Sequence, residues 1–251
     1  MGPVNVAGNS VAETWLAAMK SVSAEGVDIV RPLVATVDRF DENSEAIDVE
    51  NARTIANLYL DSIRSPHVEV TARLIFPKSY WIPSKSRSEL FARFERAYPR
   101  IKRASRKNAY GTYFRRMTSY EGAPHNGNQL DHIIGLVENG ITRGSALQVA
   151  IFDPRKDLAG QAMRGFPCLQ QVMFTVDTSV VRVTGIYTRQ YIDARGYGNF
   201  LGLCWLGRFF AHEVGLPLKS VVCVATAASL SKGKQAAQRV IRDVGLELNP
   251  S

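Results

Sequence analysis

Apolar residues recur along this chain at two spacings, and the changes between them mark its elements. Ser10 and Glu13 stand three apart, the pattern of a capping box. Val11, Trp15, Leu16, Met19 and Val22 then repeat at helical intervals and predict a helix over 10–22. Residues 29–36 are largely β-branched or apolar and predict a strand, with Pro32 assigning it to a sheet edge. Helical spacing returns over 46–63. Val68, Val70, Ala72, Leu74 and Phe76 alternate, predicting a half-buried strand over 68–76. Leu90, Phe91, Phe94, Tyr98 and Ile101 form one stripe of a helix over 88–104, which Pro99 is expected to interrupt or end. Further on, the pattern predicts a helix over 129–138 stopped by Asn139 and Gly140, and a strand over 146–152 stopped by Asp153 and Pro154. A polar loop over 155–164 follows, then two β-rich runs over 171–176 and 179–187. The remainder reads as a polar segment over 188–199, a helix over 200–213, a strand over 219–226 and a helix over 229–246. The expected class is mixed α and β, α/β (α+β), in a single domain over 1–251.

Composition narrows the picture. With 45% hydrophobic residues among 251, the chain can bury a full core. No apolar run approaches membrane-spanning length, and no charged start precedes an apolar block near Met1, so neither a membrane partner nor a signal peptide is expected. Cys168, Cys204 and Cys223 are odd in number and irregular in spacing. They form neither a zinc pattern nor a disulfide framework, which favours the cytoplasm. Cys204 and Cys223 lie in apolar patterns and read as core. His125 and His132 lack ligand spacing, and no metal is expected. The net charge is +8. Twelve lysines and arginines lie between Lys78 and Arg116, opposed only by Glu89 and Glu95. Such a field attracts phosphate.

The chemistry-bearing residues collect between Gly165 and Leu216. Cys168 follows Pro167 at a loop-to-strand junction, as a nucleophile or a core thiol. Arg189 stands at a strand end beside polar residues. Asn199 precedes a helix, as an N-cap or as an amide that reads a heterocycle.

Taken together, Tyr110-Gly111 with Arg115, the helix from Gln129-Leu130, the strand ending at Pro154, Pro167-Cys168, and Tyr187-Thr188-Arg189 with Asp193, Gly196 and Asn199 form a colinear set. A helix ending in Ala211-His212-Glu213-Val214-Gly215-Leu216 closes it. The set covers about residues 105–230. It resembles the thymidylate synthase superfamily, which includes pyrimidine nucleotide hydroxymethylases. The resemblance implies a thymidylate-synthase-like fold, a homodimer, and transfer of a one-carbon unit, methyl or hydroxymethyl, from 5,10-methylene-tetrahydrofolate to C5 of a pyrimidine nucleotide. It implies that Cys168 adds to C6 as a thiolate, that Arg189 holds the phosphate and favours the thiolate, and that Asn199 reads the base. Tyr110 and Arg115 would lie near the reacting ring or on the cofactor side, and Asp193 near the ring or the folate. Gln170 and Gly196 fall on the substrate side of the same segments. The intervals from Arg189 to Asp193 and to Asn199 each differ from the family pattern by one residue. The histidine that often follows the nucleophile is replaced by Leu169. The family's sugar-binding histidine and tyrosine are absent from residues 225–230, and its paired arginines are absent near Ser145, where Arg143 and Arg164 could substitute. Two classes of function therefore stand: a one-carbon transferase, and a non-catalytic relative that binds a nucleotide or a protein partner. Nucleic-acid binding through 78–116 is a third and weaker reading.

Overall fold

A computed structural model describes residues 2–158 and 167–249. The elements in chain order are β1 (Val4–Gly8), α1 (Val11–Ser23), β2 (Leu33–Val37), α2 (Glu50–Ser62), α3 (Val68–Ile75), α4 (Arg87–Ala104), α5 (Tyr113–Thr118), α6 (Gln129–Glu138), β3 (Gln148–Ala150), α7 (Pro154–Asp157), β4 (Leu169–Val176), β5 (Val181–Tyr187), β6 (Gln190–Tyr191), α8 (Tyr197–Val214), β7 (Leu218–Ala225), β8 (Ala228–Ser229) and α9 (Lys234–Leu248). Six strands form one mixed sheet in the order β1-β2-β7-β5-β4-β3, and β6 pairs with β8 beside it. The parallel pairs β1–β2 and β5–β7 each need a crossover, which α1 and α8 supply.

Strand alternation divides the sheet into two unlike faces. One carries rows such as Ala35–Cys223–Gly185–Val172 and Val37–Val221–Val183–Phe174, buried beneath the helices. The other carries the rows Asn5–Val34–Val224–Ile186–Gln171 and Ala7–Thr36–Val222–Thr184–Met173, all exposed or only partly covered.

Helix α8 is the central pillar. Phe210 stacks on Phe174 of the sheet at 4.1 Å between centroids, and Phe209 stacks on Phe76 on the opposite side at 5.2 Å. Burying such side chains contributes about 2–3 kcal/mol each. Small residues set the helix's distance from its neighbours. A Cβ on Gly198 would lie 2.6 Å from the Val68 carbonyl oxygen, and one on Gly202 would lie 2.8 Å from that of Ala72. This close approach explains why 68–76 is the helix α3 and not the strand its alternation predicts. Val68, Thr71, Ala72 and Ile75 also repeat at helical spacing and are buried, while Val70, which a strand would turn inward, is 49% exposed.

Three other expectations are corrected. Strand β2 is interior, because β1, which the apolar pattern does not announce, pairs outside it. Pro32 precedes the strand, and its carbonyl accepts from Val4 N at 2.9 Å. Helix α4 runs through Pro99 to Ala104. Asn199 lies inside α8 and not at its N-cap, because a π turn over Ile192–Gly196 feeds directly into the helix. The anticipated helices at 10–22 and 129–138 form as α1, with Ser10 Oγ accepting from Glu13 N at 3.1 Å, and as α6.

Candidate active site

Cys168 stands one residue before β4. Its carbonyl accepts from Thr188 N at 3.0 Å, so the β4–β5 hairpin holds Cys168 one residue from Arg189. The register slips between Leu169 and Gln171, and Gln170 folds back so that its side-chain amide donates to the carbonyls of Pro167 and Cys168. A bulge of this kind re-aims side chains at a strand end.

The Cys168 thiol is half-buried and lies within the electrostatic reach of Arg195, Arg189, Tyr113 and Tyr187. Arg195 projects from the π turn, and its Nη1 donates to Thr71 Oγ1 at 3.1 Å. Burial lowers the Arg195 pKa, while Tyr113 and Cys168 favour its charge. Arg189 is exposed, lies over the Tyr191 ring at 5.0 Å and donates to Ser229 Oγ at 3.4 Å. Burial raises the pKa of the Cys168 thiol, and Arg195 and Arg189 pull it back without cancelling the rise. Burial therefore favours the protonated thiol over the thiolate. The Tyr113 hydroxyl meets the backbone amides of Leu169 and Cys168, and burial pushes its pKa up to about 12. Tyr187 lies on the side of the sheet under the helices. Its hydroxyl and Gln190 Nε2 are buried without a hydrogen-bond partner among the described residues. Gln190 Oε1 accepts from Cys223 Sγ at 3.7 Å. Unmatched buried polar groups of this kind cost free energy unless water or a ligand satisfies them.

The remaining sequence candidates are placed as follows. Asn199 is 5% exposed, and its side-chain amide makes no hydrogen bond to a described residue. Asp193 is 2% exposed. Its Oδ2 accepts from Tyr59 Oη (3.1 Å), Ser231 Oγ (2.8 Å) and Lys232 N (3.3 Å), and its Oδ1 accepts from Ser231 N (2.8 Å). That carboxylate ties the π turn to α2 and to the approach to α9. Gly196 is packed under Trp15, where a Cβ would lie 3.2 Å from the indole.

Tyr110 and Arg115 come together elsewhere, in an open cleft of about 530 Å³ walled also by Tyr98, Tyr120, Lys102 and Lys156. Arg115 is engaged there, ion-paired with Glu95 and stacked at 4.7 Å on Tyr98. Helix α5 links the two places, because it carries both Tyr113 and Arg115. Arg143 is exposed ahead of β3, near the end of β4 remote from Cys168, where Phe174 N donates to Leu147 O at 2.9 Å. Arg164 lies outside the described residues. His125 and His132 have ring centroids 5.1 Å apart, and among the described residues no three acidic, histidine or cysteine side chains are grouped to hold a metal ion.

Sequence reading overlooks Arg195 and Tyr113. Arg195 follows Asp193 by two residues, within the π turn. Tyr113 stands in an aromatic run that reads as core. No family model matches the chain, and no curated protein does.

Proposed function

We propose that this protein transfers a one-carbon unit to C5 of a pyrimidine nucleotide through a covalent adduct at Cys168. The observation that carries the reading is the placing of the Cys168 thiol within the fields of Arg189 and Arg195, beside the Tyr113 hydroxyl. The resemblance to the thymidylate synthase superfamily supplies the reaction class.

C5 of a pyrimidine is a poor nucleophile. When the Cys168 thiolate bonds to C6, the C5–C6 π electrons move toward C4, onto its oxygen in a uracil or onto N3 in a cytosine, and C5 acquires the carbanion character it needs; once C5 has bonded the one-carbon unit, loss of the C5 proton expels the thiolate from C6. The thiol must first lose its proton to solvent water, which its burial opposes, and the two arginines stabilise the thiolate that remains. Arg189, exposed and free of an acidic partner among the described residues, has the bidentate geometry for a nucleotide phosphate. Arg195, partly desolvated, remains the standing charge beside the sulfur. The uncommitted amide of Asn199 can donate and accept, as the edge of a pyrimidine requires.

The one-carbon donor of this reading is methylene-tetrahydrofolate, which supplies carbon at the oxidation level of formaldehyde. The aromatic and cationic walls of the 530 Å³ cleft suit a molecule of that size and charge, with Tyr110 and Arg115 facing it. The bare sheet face, with Val34, Val222, Val224, Ile186 and Met173 in adjoining strands, favours a homodimer pairing sheet to sheet.

A second reading, a nucleotide- or protein-binding relative without catalysis, draws on the raised pKa of Cys168. Tritium release from 5-tritiated UMP, dUMP, CMP and dCMP separates the two. The transferase releases tritium only with methylene-tetrahydrofolate and only with Cys168 intact. Nucleotide binding without release from any of the four supports the second reading.

A further inference from the structure

Strands β6 and β8, two residues each, form a small platform beside the main sheet. Gln190 pairs with Ala228, and Tyr191 with Ser229. Backbone hydrogen bonds of 2.9 Å anchor the platform. Ala228 N donates to Val30 O, Val30 N donates to Ala228 O, and Gln190 N donates to Ala227 O. Gln190 and Ala228 are buried, and alternation turns Tyr191 outward, where it is 41% exposed. Residues in register share a face of a strand pair, so Ser229 lies on the side of Tyr191.

Arg189, immediately before β6, meets both of these residues and no acid among the described residues. Its Cζ lies 5.0 Å from the centroid of the Tyr191 ring, and its Nη2 donates to Ser229 Oγ at 3.4 Å. These contacts leave the guanidinium able to bind an anion. An aromatic ring covers a face of the guanidinium plane, whereas a phosphate takes the N–H edge. The Ser229 hydroxyl accepts from Arg189 and makes no other hydrogen bond to a described residue, so its own proton is uncommitted. Tyr191 has no other task in the fold. Its hydroxyl makes no hydrogen bond to a described residue, and its ring is not packed into the apolar core. Without such contacts an arginine side chain samples many rotamers and gives up that freedom when it binds. Thr188 N, next in the chain to Arg189, donates to Cys168 O at 3.0 Å, so the posture of Arg189 also sets where its charge falls relative to the thiol.

We propose that Tyr191 and Ser229 are positioning residues for Arg189, holding its N–H edge open for the nucleotide phosphate and its charge in place beside Cys168. The role rests on the reading of Arg189 as the group that holds the phosphate. The ring and not the phenol hydroxyl makes the contact at 191, so phenylalanine serves there and an aliphatic side chain does not.

Two measurements test this. In calorimetry with UMP, dUMP, CMP and dCMP, Tyr191→Leu should weaken binding roughly 2- to 5-fold, and Ser229→Ala should act in the same direction. Tyr191→Phe should keep the parent affinity. Uridine and cytidine, which lack the phosphate, should bind the parent and Tyr191→Leu equally. In an Arg189→Gln background, Tyr191→Leu should cause no further loss. The second measurement follows the alkylation of the Cys168 peptide by iodoacetamide against pH, read by mass spectrometry. Arg189→Gln should move the midpoint to higher pH, because a thiolate loses a cationic neighbour. Tyr191→Leu should move it in the same direction, and Tyr191→Phe should leave it in place. Circular dichroism checks that each variant is folded. If none of the four monophosphates binds the parent protein, the nucleotide reading fails, and the alkylation profile alone decides the positioning role. The inference is overturned if Tyr191→Leu weakens nucleosides and monophosphates alike, if it still acts in the Arg189→Gln background, or if it leaves both the affinity and the alkylation midpoint at their parent values.

Discussion

Replacing Asp193 with asparagine distinguishes a structural carboxylate from a ligand-facing one. The carboxylate receives four hydrogen bonds, three of them at Oδ2. Asparagine keeps one acceptor and sets an NH2 group where Oδ2 stood. The hydroxyls of Tyr59 and Ser231 can rotate to accept from it, but Lys232 N cannot. Hydrogen bonds to a charged acceptor contribute about 1.5–3 kcal/mol and neutral ones about 1, while an orphaned donor costs a further 1–3. Because Lys232 N is held at 3.3 Å and is part-buried, the low end applies to it. The expected loss is about 2–4 kcal/mol, a fall in Tm of roughly 4–16 °C for a chain of this size. Tyr59→Phe removes one donor and should cost about 1–3 kcal/mol. Urea unfolding of both single variants and the double should give a coupling of about 0.5–3 kcal/mol, since the two side chains touch. If Asp193→Asn melts within 1 °C of the parent and instead loses nucleotide or folate binding, Asp193 is a ligand contact and the structural reasoning is wrong.

Three further outcomes are expected. Burial raises the thiol pKa of Cys223 from 9.0 to about 12 and that of Cys204 further, so the native state keeps protons that the unfolded chain releases; stability is fully present below about pH 9 and is lost as pH rises towards 12. Each thiol contributes a slope of up to about 1.4 kcal/mol per pH unit, and urea midpoints at pH 8 and pH 10 should differ accordingly, less so in Cys223→Ser. Gly202→Ala should destabilise by about 1–2 kcal/mol, because overpacking against the Ala72 carbonyl at 2.8 Å outweighs a helix-propensity gain of about 1 kcal/mol, whereas Gly135→Ala in α6, with nothing within 4 Å, should gain up to that amount in thermal melts. In the proposed homodimer, Ile186→Asp in the middle of the bare sheet face should convert dimer to monomer in analytical ultracentrifugation; a monomeric parent protein would remove the proposed dimer, and an unchanged dimer mass in the variant would remove that face as its interface.

Legibility in the sequence follows the strength of local signals. Helices α1 and α6 announce themselves by caps and a single apolar face, and β4 and β5 by β-branched runs, so they are readable. Strand β1 is five residues long and half exposed, and its pairing with β2 depends on a crossover that no local pattern reveals. Val68 to Phe76 satisfies both periods at once. Its helical state is decided by the glycines of α8, more than 120 residues away in the chain. Cys168 and Arg189 are legible as a site because the hairpin joins them. Arg195 is not, because it stands in a polar segment without periodicity, and the π turn that carries it has no local signature there. Asp193 is visible as a polar residue in a candidate segment, but its partners Tyr59 and Ser231 come from opposite ends of the chain and cannot be read locally.

The most direct test of the proposed chemistry is mass spectrometry of the protein incubated with 5-fluoropyrimidine nucleotides and methylene-tetrahydrofolate, since fluorine cannot leave C5 as the proton does and the adduct persists. The account predicts a covalent nucleotide on the peptide that contains Cys168, dependent on the cofactor and lost in Cys168→Ala. An unmodified Cys168 peptide, with the same nucleotide bound in calorimetry, would contradict it and leave a nucleotide-binding protein without covalent catalysis.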